Sequence, residues 1–251
     1  MSKTPKILKC SDEKNIAYWQ TPGKSPGVIF LTGFKSDMNG TKAIALEKFC
    51  HARGQAFLRF DYTGHGQSSG NFNDGTIGKW TRDAILVLDK LCEGPQVLVG
   101  SSMGGWIMLL VAIARPQKIV GLVGTAAAPD FTEDLIKNKF SAEQIDLLEK
   151  QGFLEIPNCY NEEPYRITKD LLDEGRNHLL LTSKIPIDCP VRLIHGDEDQ
   201  DVPWQTSLHL SKNIRSQNVE VLFVKGGDHR LSEPRDLDRL CLILNNLLSK
   251  L

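Results

Sequence analysis

Short apolar runs alternate along this chain with longer stretches whose apolar residues recur every three or four positions. The runs at 27–31, 55–60, 96–99, 119–123 and 191–194 are nearly continuous in apolar character, as strands are when both faces of their sheet are covered. The run at 219–224 alternates instead, with Glu220 between Val219 and Val221, and a half-polar strand belongs at a sheet edge. Helical patterning fills 41–53, 77–93, 103–115, 203–214 and 234–250. Such strand–helix alternation predicts an α/β fold with a mostly parallel central sheet and helices on both faces. Two short segments, 6–10 and 16–20, predict an antiparallel start.

The alternation breaks once. Between Asp130 and Asp188 the chain is charged, strand-poor and helically patterned, notably at 141–150 and 168–176. A loop of that length without structure is unusual, so a helical cap is expected at 131–189, inserted in one domain spanning 1–251.

Charge narrows the function. With 30 basic and 31 acidic side chains in 251 residues, the net charge is −1. A nucleic-acid binder needs a basic surface to displace counterions from phosphates, so no nucleic-acid partner is expected. No stretch approaches the roughly 18 apolar residues of a membrane span. The six cysteines are scattered, with no C-x-x-C pair and no histidine cluster at zinc-ligand spacing. They predict reduced, mostly buried thiols, and neither a metal nor an organic cofactor is implied. Residues 1–14 are polar and lysine-rich without an apolar h-region, so no secretory signal is expected. The expected compartment is the cytoplasm for a bacterial protein, or the mitochondrion with its presequence removed.

Gly100-Ser101-Ser102-Met103-Gly104 lies between a predicted strand and a predicted helix. A nucleophile in that position needs a sharp turn that pushes its hydroxyl clear of the backbone, with glycines two residues to either side for clearance. The helix behind it aims N–H groups at the same spot. These constraints single out Ser102. A serine hydroxyl needs a histidine base, itself oriented by a carboxylate. Of the histidines after Ser102, His178 falls in the insertion, His209 inside an amphipathic helix, and His195 ends a strand facing a neighbouring loop. His229 stands in the glycine-loosened Gly226-Gly227-Asp228-His229, after the last strand, where α/β sheets bind ligands. Four acids compete for the third role in the loop after 191–194: Asp197, Glu198, Asp199 and Asp201. Asp201, ahead of Val202-Pro203, has the position of a helix N-cap.

The segment His195-Gly196-Asp197-Glu198-Asp199-Gln200-Asp201-Val202-Pro203, the serine turn, Leu31-Thr32-Gly33-Phe34 and Asp61-Tyr62-Thr63-Gly64-His65-Gly66-Gln67-Ser68 together resemble the α/β-hydrolase fold enzymes over nearly the whole chain. The family pattern H-G-x-x-D-x-x-V-P implies Asp199 as the triad acid. Thr32 stands where that family often has histidine, and the resemblance implies the backbone N–H groups of Phe34 and Met103 as the oxyanion hole. The segment after Asp61 is structural in the family. A closer similarity, in Met38-Asn39-Gly40-Thr41-Lys42-Ala43 and Ala112-Ile113-Ala114-Arg115-Pro116, is to the branch containing mitochondrial acyl-protein thioesterases and acyl-glucuronide esterases and their bacterial relatives.

The resemblance implies a serine hydrolase that cleaves carboxylic esters or thioesters through an acyl-enzyme. Its partner is then a small-molecule ester or an acyl-protein thioester. The rival from another class is a non-catalytic α/β-hydrolase-fold binding protein. In the cap, Phe140, Leu147, Phe153, Leu154 and Ile156 are candidates for an acyl pocket, with Phe153 and Leu154 the expected substrate contacts.

Overall fold

The computed structural model describes residues 4–10, 14–156 and 164–251. Its strands are β1 (Lys6–Lys9), β2 (Asn15–Thr21), β3 (Lys24–Leu31), β4 (Gln55–Phe60), β5 (Gln96–Ser101), β6 (Ile119–Thr125), β9 (Val191–Gly196) and β10 (Val219–Val224), which form one sheet ordered β1-β2-β4-β3-β5-β6-β9-β10. The pairs β1–β2 and β2–β4 are antiparallel and all the others are parallel. Helices α1 (Thr41–Arg53), α2 (Ile77–Leu91), α3 (Met103–Ala114), α6 (Gln205–Asn213) and α7 (Pro234–Leu248) supply the crossovers and the C-terminal cover.

Side chains of a strand alternate between faces, and the central strands feed two cores accordingly. Val28, Phe30, Val97, Val99 and Val123 pack with Leu46 of α1 and Leu240 and Leu244 of α7. Ile29, Leu31, Leu98 and Leu122 pack with Trp80 of α2 and Trp106 of α3 on the opposite face. Burial on both sides accounts for the unbroken apolar runs. The alternating strand β10 lies at the edge, where Leu222 and Phe223 are partly open to solvent.

The segment between β6 and β9 is less uniformly helical than its patterning predicts. It holds α4 (Ala142–Gln151) and α5 (Lys169–Gly175), but also a two-stranded antiparallel hairpin of β7 (Phe153–Ile156) and β8 (Tyr165–Thr168). Four-residue strands are too short to show a period, so only their local turn signals were available in the sequence. The α-helices do announce themselves: Ser141 and Gln144 form a reciprocal capping box on α4, and Gly152 ends it in the left-handed conformation.

Two ends of this segment are stitched together by one buried carboxylate. Asp130, at φ 60°, accepts hydrogen bonds from the N–H groups of Leu180 and Leu181 at 2.8–3.0 Å. Trp106 on α3 donates its indole N–H to the carbonyl of His178, and Glu174 on α5 accepts the N–H of Gly78 at the start of α2. The segment is therefore anchored to both helices of one sheet face.

Replacing Asp130 by alanine strands the N–H donors of Leu180 and Leu181, the second of them buried, and places a residue with no local polar side chain at positive φ. The expected cost is about 2–3 kcal/mol, with Asp130→Asn milder because it keeps one acceptor and tolerates that conformation. Urea denaturation of the two variants checks this; equal losses would mean that the two N–H groups find other partners.

Candidate active site

Every parallel strand points its carboxyl end at the same rim, and four of those ends meet there. The serine turn comes from β5, which occupies the middle of the sheet. Ser102 adopts φ 53° and ψ −121°, a conformation that L residues avoid, and it begins α3 directly. The turn fits only because its flanking residues lack side chains. A Cβ on Gly100 would stand 2.4 Å from the Gly104 carbonyl oxygen, and one on Gly104 would stand 2.1 Å from that of Leu31. The backbone is held by N–H donation from Ser102 to the Thr125 carbonyl at the end of β6, while the Ser102 carbonyl accepts from Gly105 and Ala128.

The acid loop follows β9 and the histidine loop follows β10. Hydrogen bonding continues past the ends of these strands, from Asp197 to the Val224 carbonyl and from Glu198 to the Gly227 carbonyl. Gly196 and Gly227 touch backbone to backbone, since a Cβ on Gly196 would lie 2.1 Å from the Gly227 oxygen. That contact sets Asp199 against His229 across 30 residues of sequence.

The result is a chain of hydrogen bonds. His229 Nδ1 is 2.8 Å from Asp199 Oδ2, and His229 Nε2 is 3.0 Å from Ser102 Oγ. A carboxylate can only accept, so Nδ1 carries the proton and Nε2 is free to accept from the serine hydroxyl. Asp199 is buried, and its Oδ1 takes the N–H groups of Asp201 and Val202, both at 2.9 Å. Its Oδ2 faces a second histidine, His195 Nε2, at 3.1 Å. Burial by itself would raise the Asp199 carboxyl, but the hydrogen bonds from His195, His229 and the Val202 N–H outweigh it and hold the group well below the usual carboxylate range. Ligand atoms of Asp199, Asp201 and His229 lie within 4.8 Å of one another. The oxygens of Asp199 and the Nδ1 proton of His229 are already spent on hydrogen bonds, so this spacing is satisfied without an ion.

Phe34 lies on the loop after β3, whose backbone runs against the serine turn: a Cβ on Gly33 would be 3.4 Å from Ser102 Cβ. Its ring packs edge-on against Phe72, Trp80, Phe131 and Tyr165, with centroids 4.8–6.1 Å apart. The same loop is clamped further on, where Asp61 accepts the Met38 N–H at 2.7 Å and Arg59 donates to the Met38 carbonyl at 2.7 Å. Asp61 also takes the Gln67 N–H at 2.8 Å, which gives the turn after β4 its structural use.

A cleft of about 620 Å³ opens over Ser102 and His229. Phe34, Met103, Ala128 and Phe131 line it from below, and Leu135, Ile136, Ile156, Tyr165 and Ile167 line it from the inserted segment. Its rim is basic, with Lys35, Lys42, Lys139 and Arg230 against Asp37 and Asp201. Burial, helped by the charge of Arg230, pulls Lys42 down to about 8, and its ammonium donates to the Arg230 carbonyl and the Ser232 hydroxyl.

Several expectations change. Phe153 and Leu154 do not line the cleft. Leu154 points into a satellite core with Leu148, Ile167 and Leu172, and Phe153 lies beneath the Arg166 guanidinium at 4.2 Å. Leu154 shares a face of the hairpin with Ile156, Tyr165 and Ile167, which line the cleft, but it is taken up by the satellite core, whereas Phe153 lies on the opposite face. Phe140 also packs with the satellite core, and Leu147 is exposed. Asp201 caps no helix, since α6 begins only at Gln205 with Trp204 ahead of it. His195 faces the acid itself rather than only a neighbouring loop; the i, i+4 spacing of His195 and Asp199 is the signal that could have found it.

A family model described as serine aminopeptidase, S33 matches residues 26–150. The mitochondrial palmitoyl-protein thioesterase ABHD10 of Bos taurus is 46% identical over 246 residues, covering 98% of this chain and 80% of that protein. The chain belongs to the ABHD10 family of α/β hydrolases. The solved structure of α/β hydrolase domain-containing protein 10 from mouse agrees, with a TM-score of 0.92 at 44% identity over 99% of both chains. A hydrolase from Agrobacterium vitis matches with a TM-score of 0.91 at 37% identity over 96% of both. Membership makes the chain an enzyme, a serine hydrolase of the ester and thioester class, and removes the non-catalytic alternative.

The depressed Asp199 carboxyl has a consequence for acid stability. A group held below its unfolded value of about 3.9 stabilises the fold above that pH, and the contribution is lost as pH falls through the lower folded value. The stability gap between the native chain and Asp199→Asn is therefore expected to be full at pH 6 and to shrink below about pH 4. Urea denaturation at both pH values measures it, and a gap independent of pH would show that the carboxylate charge is not what the fold uses.

Proposed function

We propose that this chain hydrolyses long-chain acyl thioesters, with Ser102 as nucleophile, His229 as general base and acid, and Asp199 as the residue that orients the imidazole. The observation that carries the reading is the unbroken line from Asp199 through His229 to Ser102 Oγ, at 2.8 and 3.0 Å, at the floor of a cleft with one apolar wall. Ser102 Oγ attacks the thioester carbonyl as His229 Nε2 takes its proton. The carbon–sulfur bond breaks, the thiol leaves and Ser102 holds the acyl group. Water, deprotonated by the same nitrogen, then releases the acid.

The oxyanion of each tetrahedral step would be met by the N–H groups of Phe34 and Met103, which donate to no other group among the described residues. Met103 is the first residue of α3, so the helix dipole adds to its donor. Thioesters suit the arrangement because a thiolate leaves without the protonation that an alkoxide demands. The cleft volume falls in the range of ligand pockets, about 300–1,000 Å³, and its apolar lining suits a fatty acyl chain. The segment 131–189 acts as the cap of that pocket. The ABHD10 relatives are named as palmitoyl-protein thioesterases and as mitochondrial, which supports an acylated protein as substrate and the mitochondrial one of the two expected compartments.

Ser102→Ala is expected to abolish both turnover and labelling by a fluorophosphonate, with Ser101→Ala close to the native rate because its side chain is buried off the turn's apex. Equal losses would move the nucleophile. Chain-length selectivity is expected to reside in Ile156, Tyr165 and Ile167. Ile167→Ala should lower kcat/KM for long acyl thioesters by about 1–3 kcal/mol and leave acetyl thioesters nearly unchanged. A proportional loss for short and long chains would place the acyl group elsewhere.

A further inference from the structure

His195 is a fully buried histidine that the chemistry above does not use. It lies near the end of β9, opposite Phe223 of the neighbouring strand β10. Its Nε2 faces two acceptors, Asp199 Oδ2 at 3.1 Å and the Val202 carbonyl at 2.9 Å. A carbonyl cannot donate, so Nε2 carries a proton and shares it between them. Nδ1 is 2.7 Å from Ser207 Oγ on α6, within hydrogen-bond distance at the far end of the ring. The imidazole is thus bonded at both ends, to a helix on one side and to the acid loop on the other.

We propose that His195 is a positioning residue for hydrolysis: its Nε2–H fixes the Asp199 carboxylate in place and withdraws charge from it, which limits how strongly Asp199 holds the proton on His229. The inference rests on the triad reading above. Asp199 Oδ2 is the one oxygen that both histidines share, so charge drawn toward His195 is unavailable to His229. A base tied too tightly to its carboxylate keeps its proton to a higher pH and accepts the serine proton only above it. Without the second donor, Oδ2 would carry more charge and the protonated form of His229 would be favoured. The other charged groups around His229 are Asp201 on the acid loop, Asp228 and Arg230 on its own loop, and Lys42 of α1, which bonds the Arg230 carbonyl. Among the described residues none of them bonds His195, whose charged hydrogen-bond partner is Asp199.

The test is the pH profile of kcat/KM for an acyl thioester, with two substitutions. His195→Phe keeps a ring but has no donor; His195→Gln can place an amide N–H where Nε2 stands. His195→Phe is expected to lower kcat/KM by about 10- to 100-fold, the usual effect of losing one hydrogen bond to a charged group, and to move the acidic limb to higher pH. His195→Gln is expected to restore the limb and most of the rate. A Phe variant that loses stability but keeps the native limb would overturn the proposal and leave His195 a packing residue. A Gln variant that behaves like Phe would overturn it as well, because the donor would then be irrelevant. If His195→Phe does not fold, Ser207→Ala decides the point. It frees the far end of the ring, so it should move the limb in the same direction by less, and an unmoved limb refutes the role. Fluorophosphonate labelling of the unsubstituted chain is read alongside: its absence would refute the triad reading itself, whereas labelling with an unmoved limb refutes only the role of His195.

Discussion

A carboxylate buried at the edge of a sheet must have every lone pair answered, and Asp199 meets that requirement by recruiting groups from three parts of the chain. Its own loop supplies the N–H groups of Asp201 and Val202, β9 supplies His195, and the loop after β10 supplies His229. An unpaired charge in that position would cost several kcal/mol, so the fold tolerates Asp199 only with these partners present. The same bonds that make burial possible also hold one ring nitrogen of His229 in the donor role and leave the other for Ser102. Structural satisfaction and chemical readiness therefore come from one set of contacts.

On the other side of the site the constraint is steric. Ser102 is held in a backbone conformation that costs of order 1–3 kcal/mol for an L residue, and the surrounding sheet has to impose it. It does so through the Thr125 carbonyl and through glycines that let α3 approach the end of β3 within backbone contact. That approach also brings the Gly33–Phe34 backbone alongside the serine. The clamp of Arg59 and Asp61 on Met38 and the aromatic packing of Phe34 then keep this loop from drifting. The groups of the site stand on turns pinned directly to strand ends, which is how loops hold positions to a fraction of an ångström.

The inserted segment contributes differently. It walls the cleft with Leu135, Ile136, Ile156 and Ile167 and is fastened by Asp130, Glu174 and the His178 carbonyl. One side of the cleft is basic, with Lys35, Lys42, Lys139 and Arg230, and Lys42 is drawn into the fold there by its bond to the Arg230 carbonyl.

The sequence by itself determines the layered architecture, because burial on both faces leaves a run without polar residues and a crossover helix leaves a 3.6-residue period; β3, β5 and α2 are legible on those grounds alone. Ser102 is legible for the same reason: the demands of a tight strand-to-helix turn are local, and glycines record them within five residues. Four acids in one loop cannot be told apart by residue type, and only the resemblance to a family separates Asp199 from Asp197, Glu198 and Asp201. The tertiary structure distinguishes them by burial and by the direction of the β10 loop, which the backbone contact of Gly196 with Gly227 sets across 31 positions. It alone reveals that His195 touches the same oxygen as His229, and that Ile156 and Tyr165 rather than Phe153 and Leu154 face the cleft. A side chain's facing in a four-residue strand depends on what covers it, and that partner is chosen by folding rather than by any local pattern.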